Sequence, residues 1–256
     1  MKILVIGDVV GSRGCEFIRD RLSGIKRSKE IDIVIANGEN SADGNGITPS
    51  GANYLFDSGV DLISLGNHTY RRHEICDYLD ETEHIIRPAN FPSGAPGKGF
   101  VIYDMGRWQI CLINLMGTSF MEPLDCPFAK LDEILKNNDL PKIKIVDFHA
   151  EATGEKRAFG FYADGRVSAV FGTHTHVQTA DESILPNGTG YITDVGMVGS
   201  VNSVLGVKSE LIIRKLKTKL PVRFDYAQNE QEMNCIILDI DKNTGKCLNI
   251  ERMIVR

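Results

Sequence analysis

The 256-residue chain has no Cys-x-x-Cys pair, although it carries six cysteines, at positions 15, 76, 111, 126, 235 and 247. Several lie inside apolar runs such as 110–115 and 235–238, so they are expected as reduced core residues rather than as a disulfide framework or a zinc knuckle. No apolar run approaches the roughly eighteen residues of a membrane span. The one that follows Met1-Lys2 is too short for a secretory signal, and no small-residue cleavage site comes after it. The expectations are therefore no membrane association and a cytoplasmic location. Positive charge is scarce too. With 29 Lys and Arg against 34 Asp and Glu the net charge is -5, which argues against a surface built to wrap nucleic acid, because such surfaces need clustered cations to displace counterions. RNA association is not indicated by charge, and any polyanion has to be met locally. No repeat, low-complexity tract or linker interrupts the chain. Its 42% hydrophobic and 25% charged content fits an ordinary soluble protein with enough core to need no staples, and one domain over 1–256 is the economical reading. The sequence leaves a homo-oligomer open.

What is present is an alternation of strand-like and helix-like patterns. Residues 3–7 form a continuous apolar run, as a strand buried on both faces does, and 12–25 carry Phe17, Ile18, Leu22 and Ile25 at helical spacing. The pattern recurs with a strand at 31–36 before a helix at 49–57, and a strand at 61–65 before a polar helix from about 70 to 79. The runs 84–87, 99–104 and 108–114 are too close together for intervening helices, so antiparallel pairing is expected there and a mixed sheet follows. Helices are expected at 128–137 and 151–162, strands at 143–148, 168–172 and 190–195, a Gly/Ser/Val loop at 196–206, and a hairpin of 233–240 with 247–255.

The polar residues that end these runs are of one kind. Asp8 follows the first strand, Glu39 and Asn40 the second, Asn67 and His68 the third, and His149 a later one. Residues 170–177 then deliver His174 and His176 at i and i+2, which on an extended backbone puts both imidazoles on one side. Ligands in an open α/β sheet bind at the carboxyl ends of its strands. Each residue has an ordinary alternative: Asp8 as a helix cap, Asn40 and Asn67 as turn residues, His149 as a satisfied core histidine, His-x-His as a chance pair. Coincidence decides between the readings, because five strand ends would each need an unrelated reason for the same class of donor. His73 and His84 lack that context and read as surface residues. Asp8, Glu39, Asn40, Asn67, His149, His174 and His176 make seven oxygen and nitrogen donors, enough for two hard or borderline divalent ions, with Glu39 as the natural bridge. Such a pair, about 3.5 to 4 Å apart, would activate a shared water as hydroxide and clamp the attacking and leaving oxygens of a phosphoryl transfer. Two carboxylates against two divalent ions leave about +2, a field that suits a phosphate.

Gly7-Asp8, Gly38-Glu39-Asn40, Gly66-Asn67-His68, a lone His149 and Gly172-Thr173-His174-Thr175-His176 resemble the ordered motifs of the calcineurin-like metallophosphoesterases. Within them, Gly7-Asp8-Val9-Val10-Gly11, Asn37-Gly38-Glu39-Asn40, Arg87-Pro88-Ala89-Asn90, Asp147-Phe148-His149-Ala150-Glu151-Ala152 and the run 172–181 resemble the bacterial YmdB family over nearly the whole chain. Val10 stands where many calcineurin-like enzymes have a histidine, and Glu39 where they commonly have Asp; both departures agree with that branch. The resemblance implies a four-layer α/β sandwich of two mixed sheets flanked by helices. It also implies a di-metal centre, with iron first and manganese or zinc as alternatives, and phosphodiesterase activity on 2′,3′-cyclic nucleotides, a small-molecule phosphodiester substrate. By position, Asp8, Glu39 and His176 would hold one ion, and Glu39, Asn40, Asn67, His149 and His174 the other, with His68 as the acid. The competing reading is a regulatory or RNA-associated protein whose metal site turns over only weakly. His68 beside Asn67, with no structural need for it, favours the enzyme.

Overall fold

The computed structural model describes residues 1–137 and 139–256, and the alternation of apolar runs and amphipathic helices resolves into two facing sheets. The first half of the chain supplies β1 (Lys2–Val9), α1 (Gly11–Lys29), β2 (Ile33–Asn37), α2 (Pro49–Asp57), β3 (Leu62–Ser64), α3 (Ile75–Glu81) and β4 (Ile85–Ile86). These four strands run parallel to one another, so their carboxyl ends share one edge. The second sheet is built from β5 (Phe100–Asp104), β6 (Gln109–Met116), α4 (Pro127–Asn137), β7 (Ile143–His149), α5 (Thr153–Ala163), β8 (Ala169–Thr173), β9 (Ser183–Ile184) and β10 (Gly190–Ile192). The chain then returns to the first sheet through β11 (Met197–Ser200), passes α6 (Ser209–Thr218), and closes with the hairpin of β12 (Gln231–Ile240) and β13 (Cys247–Val255). The first sheet has the order β13-β12-β11-β1-β2-β3-β4 and the second β5-β6-β7-β8-β10-β9, both mixed.

Why the strands read as unbroken apolar runs is now plain: each central strand is covered on both faces. Ile3, Val5, Ile33 and Ile35 of the first sheet face Leu112, Ile145, Phe171 and Ile192 of the second, forming the layer between the sheets. On the outer face of the first sheet, Leu4, Ile6, Val34 and Ile63 pack with Ile18 and Leu22 of α1, Leu55 of α2 and Leu79 of α3. Outside the second sheet, Val146, Phe148 and Val170 meet Leu131 of α4 and Phe159 of α5. Helices, sheet, sheet, helices: the expected four layers are present. Each fully buried Leu, Ile or Phe contributes about 1.5–3 kcal/mol, so the fold rests on these three layers. α2 starts where its residues direct, with Pro49 in the first turn and Thr48 Oγ1 accepting from Gly51 N at 3.0 Å.

Several expectations need correction. The 196–206 stretch is not all loop, because 197–200 form β11, pairing parallel with β1 (Asp8 opposite Met197) and antiparallel with β12 (Val198 opposite Met233). Those partners are distant in sequence, and a four-residue run shows no periodicity of its own. Gly7 permits the approach: a Cβ there would lie 2.1 Å from the Gly196 carbonyl oxygen. β4 does not join the antiparallel group but pairs parallel with β3, whereas β5 and β6 do form the expected antiparallel pair. α3 begins at Ile75 rather than near 70, because the preceding segment is drawn to the 43–45 loop: Arg72 donates from Nε to the Asn45 carbonyl at 3.1 Å and from Nη2 to the Asp43 carbonyl. α6 is a helix that the sequence reading did not contain, and none of its residues is buried. Asp8 and His149 lie within strand ends rather than beyond them. The six cysteines are free, but Cys126 is exposed and Cys76 half-buried, so four of the six are core residues. His73 and His84 are exposed, as expected. Among the described residues no helix is long and apolar enough to cross a membrane.

Candidate metal centre

The carboxyl ends of β1, β2, β3, β7 and β8 bring Asp8, Glu39, Asn40, Asn67, His68, His149, His174 and His176 into one cluster. Glu39, 1% exposed, lies at its centre. Its Oε1 is 3.3 Å from His149 Nε2 and 3.1 Å from His68 Nδ1, and accepts from Asn40 Nδ2 at 3.2 Å. Its Oε2 accepts from the His68 backbone N–H at 2.8 Å. On one side, His149 Nε2 lies 2.9 Å from Asn67 Oδ1 and 3.1 Å from His174 Nδ1. On the other, His176 Nε2 lies 3.7 Å from Asp8 Oδ1 and 3.3 Å from Asn40 Nδ2. Asn40 turns its Oδ1 to His68 Nδ1 at 2.8 Å. End-over-end rotation of that amide would present its oxygen to Glu39 and His176 instead.

The His-x-His pair reaches the cluster by another route than the extended backbone predicts. β8 ends at Thr173, and His174 and His176 take φ of 99° and 64°, a region that side-chain-bearing residues adopt at a cost of order 1–3 kcal/mol each. The chain bends there, and the bend, not strand alternation, points both rings inward.

Burial and charge set the protonation of these groups. Burial alone would push the Glu39 carboxyl up, yet the adjacent His149 and His68 hold it well below the usual range. His149 is pulled down by burial, but Glu39, followed by Asp8 and Asp147, raises it to about 9. Burial, helped by the neighbouring His149 charge, lowers His174 to about 3, and burial lowers His176 to about 4. Burial raises Asp8. Burial thus favours the neutral form of His174 and His176, with lone pairs available, while Glu39 and His149 each favour the charged form of the other.

Do these residues fit a metal ion? One donor atom each from Glu39, His149 and His174 lie within 4.8 Å of one another. Asp8 Oδ1, which faces His176 Nε2 at 3.7 Å, is buried with no hydrogen-bond partner, and a buried unpaired carboxylate oxygen is costly. Mixed carboxylate, imidazole and amide donors are those of borderline divalent ions. The set fits, and a divalent cation there would balance the buried carboxylates of Asp8 and Glu39.

A second layer, to which the sequence reading gave no role, orients the donors. Asp147 is fully buried; its Oδ2 accepts from Ser64 Oγ at 2.5 Å and Asn37 Nδ2 at 3.1 Å, and its Oδ1 from Thr173 Oγ1 at 2.7 Å. Thr173 Oγ1 in turn lies 2.9 Å from His149 Nδ1. Glu151 Oε2 is 3.0 Å from His174 Nε2. Partners of this kind fix ring orientation and raise ligand basicity. Asp147 could have been found from the sequence as the one charge near the end of the apolar run Ile145-Val146-Asp147-Phe148. Glu151 had no signal beyond its closeness to His149 and its place in the 147–152 motif.

Gly66 is what lets the cluster close. A Cβ at this position would sit 2.3 Å from His149 Nε2 and 2.5 Å from Glu39 Oε2. Gly66→Ala is therefore expected to weaken metal binding and turnover by about 10- to 100-fold, on the scale of a displaced ligand shell, while leaving the far-ultraviolet circular dichroism unchanged. Unaltered metal affinity in that variant would mean that these two groups do not act at such close quarters.

The four-layer sandwich of two mixed sheets is the fold of the calcineurin-like phosphoesterases, and it sets the carboxylate, amide and imidazole groups described above on one strand edge. The chain belongs to the YmdB-like protein family, whose model matches residues 4–253. It is 48% identical over its full length to the 2′,3′-cyclic-nucleotide 2′-phosphodiesterase of Bacillus subtilis, covering 97% of that protein. Among solved structures, a novel phosphatase from Mycoplasma pneumoniae superposes with a TM-score of 0.94 at 34% identity, over 100% of this chain and 93% of that one. A hypothetical protein from Thermus thermophilus does so with a TM-score of 0.94 at 40% identity, over 100% and 99%.

Proposed function

We propose that the protein is a di-metal phosphodiesterase that hydrolyses 2′,3′-cyclic nucleotides such as 2′,3′-cAMP, opening the ring at the 2′ oxygen to leave a 3′-monoester. The observation that carries this is the convergence of Glu39 and six further oxygen and nitrogen donors, supported by the name of the Bacillus subtilis relative. Asp8, Glu39 and His176 would hold one ion, and Glu39, Asn40, Asn67, His149 and His174 the other. When bound, two such ions supply Lewis-acid polarisation of the phosphoryl oxygens and lower the pKa of water. Iron, manganese and zinc all suit a mixed donor set, with iron the first choice.

The chain's own groups do the rest. Glu39 is aimed by the His68 N–H, and His149 by Thr173 and Asp147. His68, 20% exposed, stands at the mouth of the cluster with Nδ1 turned to Asn40 and Glu39, which leaves Nε2 to face the substrate and deliver a proton to the departing 2′ oxygen. As a P–O bond forms to the incoming water and P–O2′ breaks, O2′ takes the proton of His68, and the proton lost by the water passes to solvent, from which His68 is reprotonated. A cytoplasmic setting is compatible with six free thiols.

The test is turnover. Protein stripped with chelator and reconstituted with Mn²⁺ or Fe²⁺ is expected to convert 2′,3′-cAMP to 3′-AMP, and the chelated protein to be inert. Cleavage of a chromogenic ester alone would not discriminate, since many metal sites support it. Metal-loaded protein that leaves the cyclic nucleotide intact overturns the proposal.

A further inference from the structure

Lys156, in the first turn of α5, is a lysine only 1% exposed that the proposed chemistry does not use. Its Nζ donates to Asp194 Oδ2 at 2.6 Å and to the Thr173 carbonyl at 2.7 Å. Asp194, fully buried, also accepts the Thr175 N–H on Oδ2 at 3.1 Å and the Gly196 N–H on Oδ1 at 2.9 Å. The ammonium thus holds the backbone directly before His174, through Thr173, and through Asp194 holds it directly after, at Thr175. Between and beside these anchors stand the two left-handed residues His174 and His176. There is no slack around them: a Cβ on Gly172 would lie 1.8 Å from the Thr193 carbonyl oxygen and 3.2 Å from Lys156 Cε.

We infer that Lys156 and Asp194 are positioning residues, a buried strut that keeps the His174-Thr175-His176 turn left-handed and so aims His174 Nδ1 and His176 Nε2 at divalent cations. The inference rests on the proposed reading of those histidines as ligands. Left to itself, the segment would relax toward ordinary backbone angles, and an ion would have to reorganise it on binding. Outer-shell partners of metal ligands characteristically change affinity by 10- to 100-fold when removed. The alternative, that the pair merely stabilises the fold, is weak on general grounds, since desolvation offsets much of the attraction in a buried ion pair.

Replacing Lys156 alone strands a buried carboxylate, so the informative variant is Lys156→Met/Asp194→Asn, which removes both charges at nearly constant volume. It is to be compared with wild type by thermal unfolding in chelator and by equilibrium dialysis against Mn²⁺ with elemental analysis. The double variant is expected to unfold cooperatively in chelator and to bind Mn²⁺ about 10- to 100-fold more weakly. If it does not fold, Asp194→Asn alone, which keeps the Lys156 bond to the Thr173 carbonyl, is expected to weaken Mn²⁺ in the same direction by several-fold, because one amide oxygen cannot serve the lysine and both backbone N–H groups as a carboxylate does. Wild-type affinity in whichever variant folds overturns the inference and leaves the proposed function standing. A wild-type protein that binds no Mn²⁺ overturns both.

Discussion

Glu39→Gln is expected to lose bound metal and turnover together while the chain stays folded. The carboxylate lies between the two halves of the donor cluster, within 3.3 Å of His149 and 3.1 Å of His68, and an amide cannot bridge two cations as an anion does. The substitution also removes the charge that raises His149 to about 9, so the pairing that now holds the cluster together weakens on both sides. The three hydrophobic layers do not include Glu39, and the cooperative unfolding transition should persist. The expected readout is less than one equivalent of metal by elemental analysis and an activity drop of at least ~100-fold, the scale on which ligand-shell damage is felt. Two tightly held ions with normal turnover would remove Glu39 from the bridging role.

His68→Ala should separate proton delivery from metal binding. His68 makes two contacts with Glu39, through its backbone N–H and through Nδ1, and the variant keeps the first. Metal content is therefore expected to stay at the wild-type level. Cleavage of the cyclic nucleotide produces an alkoxide unless the leaving oxygen is protonated in the transition state, and a positioned general acid contributes about 100- to 10,000-fold. The loss in kcat for 2′,3′-cAMP should fall in that range. For a nitrophenyl ester, whose leaving group departs without a proton, the loss should be much smaller. A residue that only positions substrate penalises both alike, so equal losses, or a missing metal ion in the variant, would show that His68 has another job. The Thr173–Asp147 support of His149 does not involve His68, which is why the two effects should come apart.

Most of the architecture was legible because its signals are local. Unbroken apolar runs marked strands covered on both faces, helical spacing in residues such as Phe17, Ile18 and Leu22 marked α1, and the Asn/Gly-rich turn at 241–246 marked the β12–β13 hairpin. The clustering of Asp8, Glu39, Asn40, Asn67, His149, His174 and His176 was legible for a topological reason: parallel strands joined by helices bring their carboxyl ends to one edge. Elements whose existence depends on distant partners were not. β11 is four residues inserted between β1 and β12, where a loop is expected from the sequence; β4 falls within the expected strand 84–87, but its parallel pairing with β3 depends on a strand elsewhere in the chain. The start of α3 was shifted by Arg72 reaching the 43–45 loop.

By itself, then, the sequence determined the layers, the edge at which the polar residues gather and which residues are the candidate donors, since these follow from residue type and short-range period. Tertiary structure alone decided how the donors are aimed. The left-handed angles at His174 and His176, the Asp147–Thr173 support of His149 and the Lys156–Asp194 strut are contacts between β7, β8, α5 and the segment after β10. No sequence period encodes a hydrogen bond between side chains that meet only after two sheets have packed.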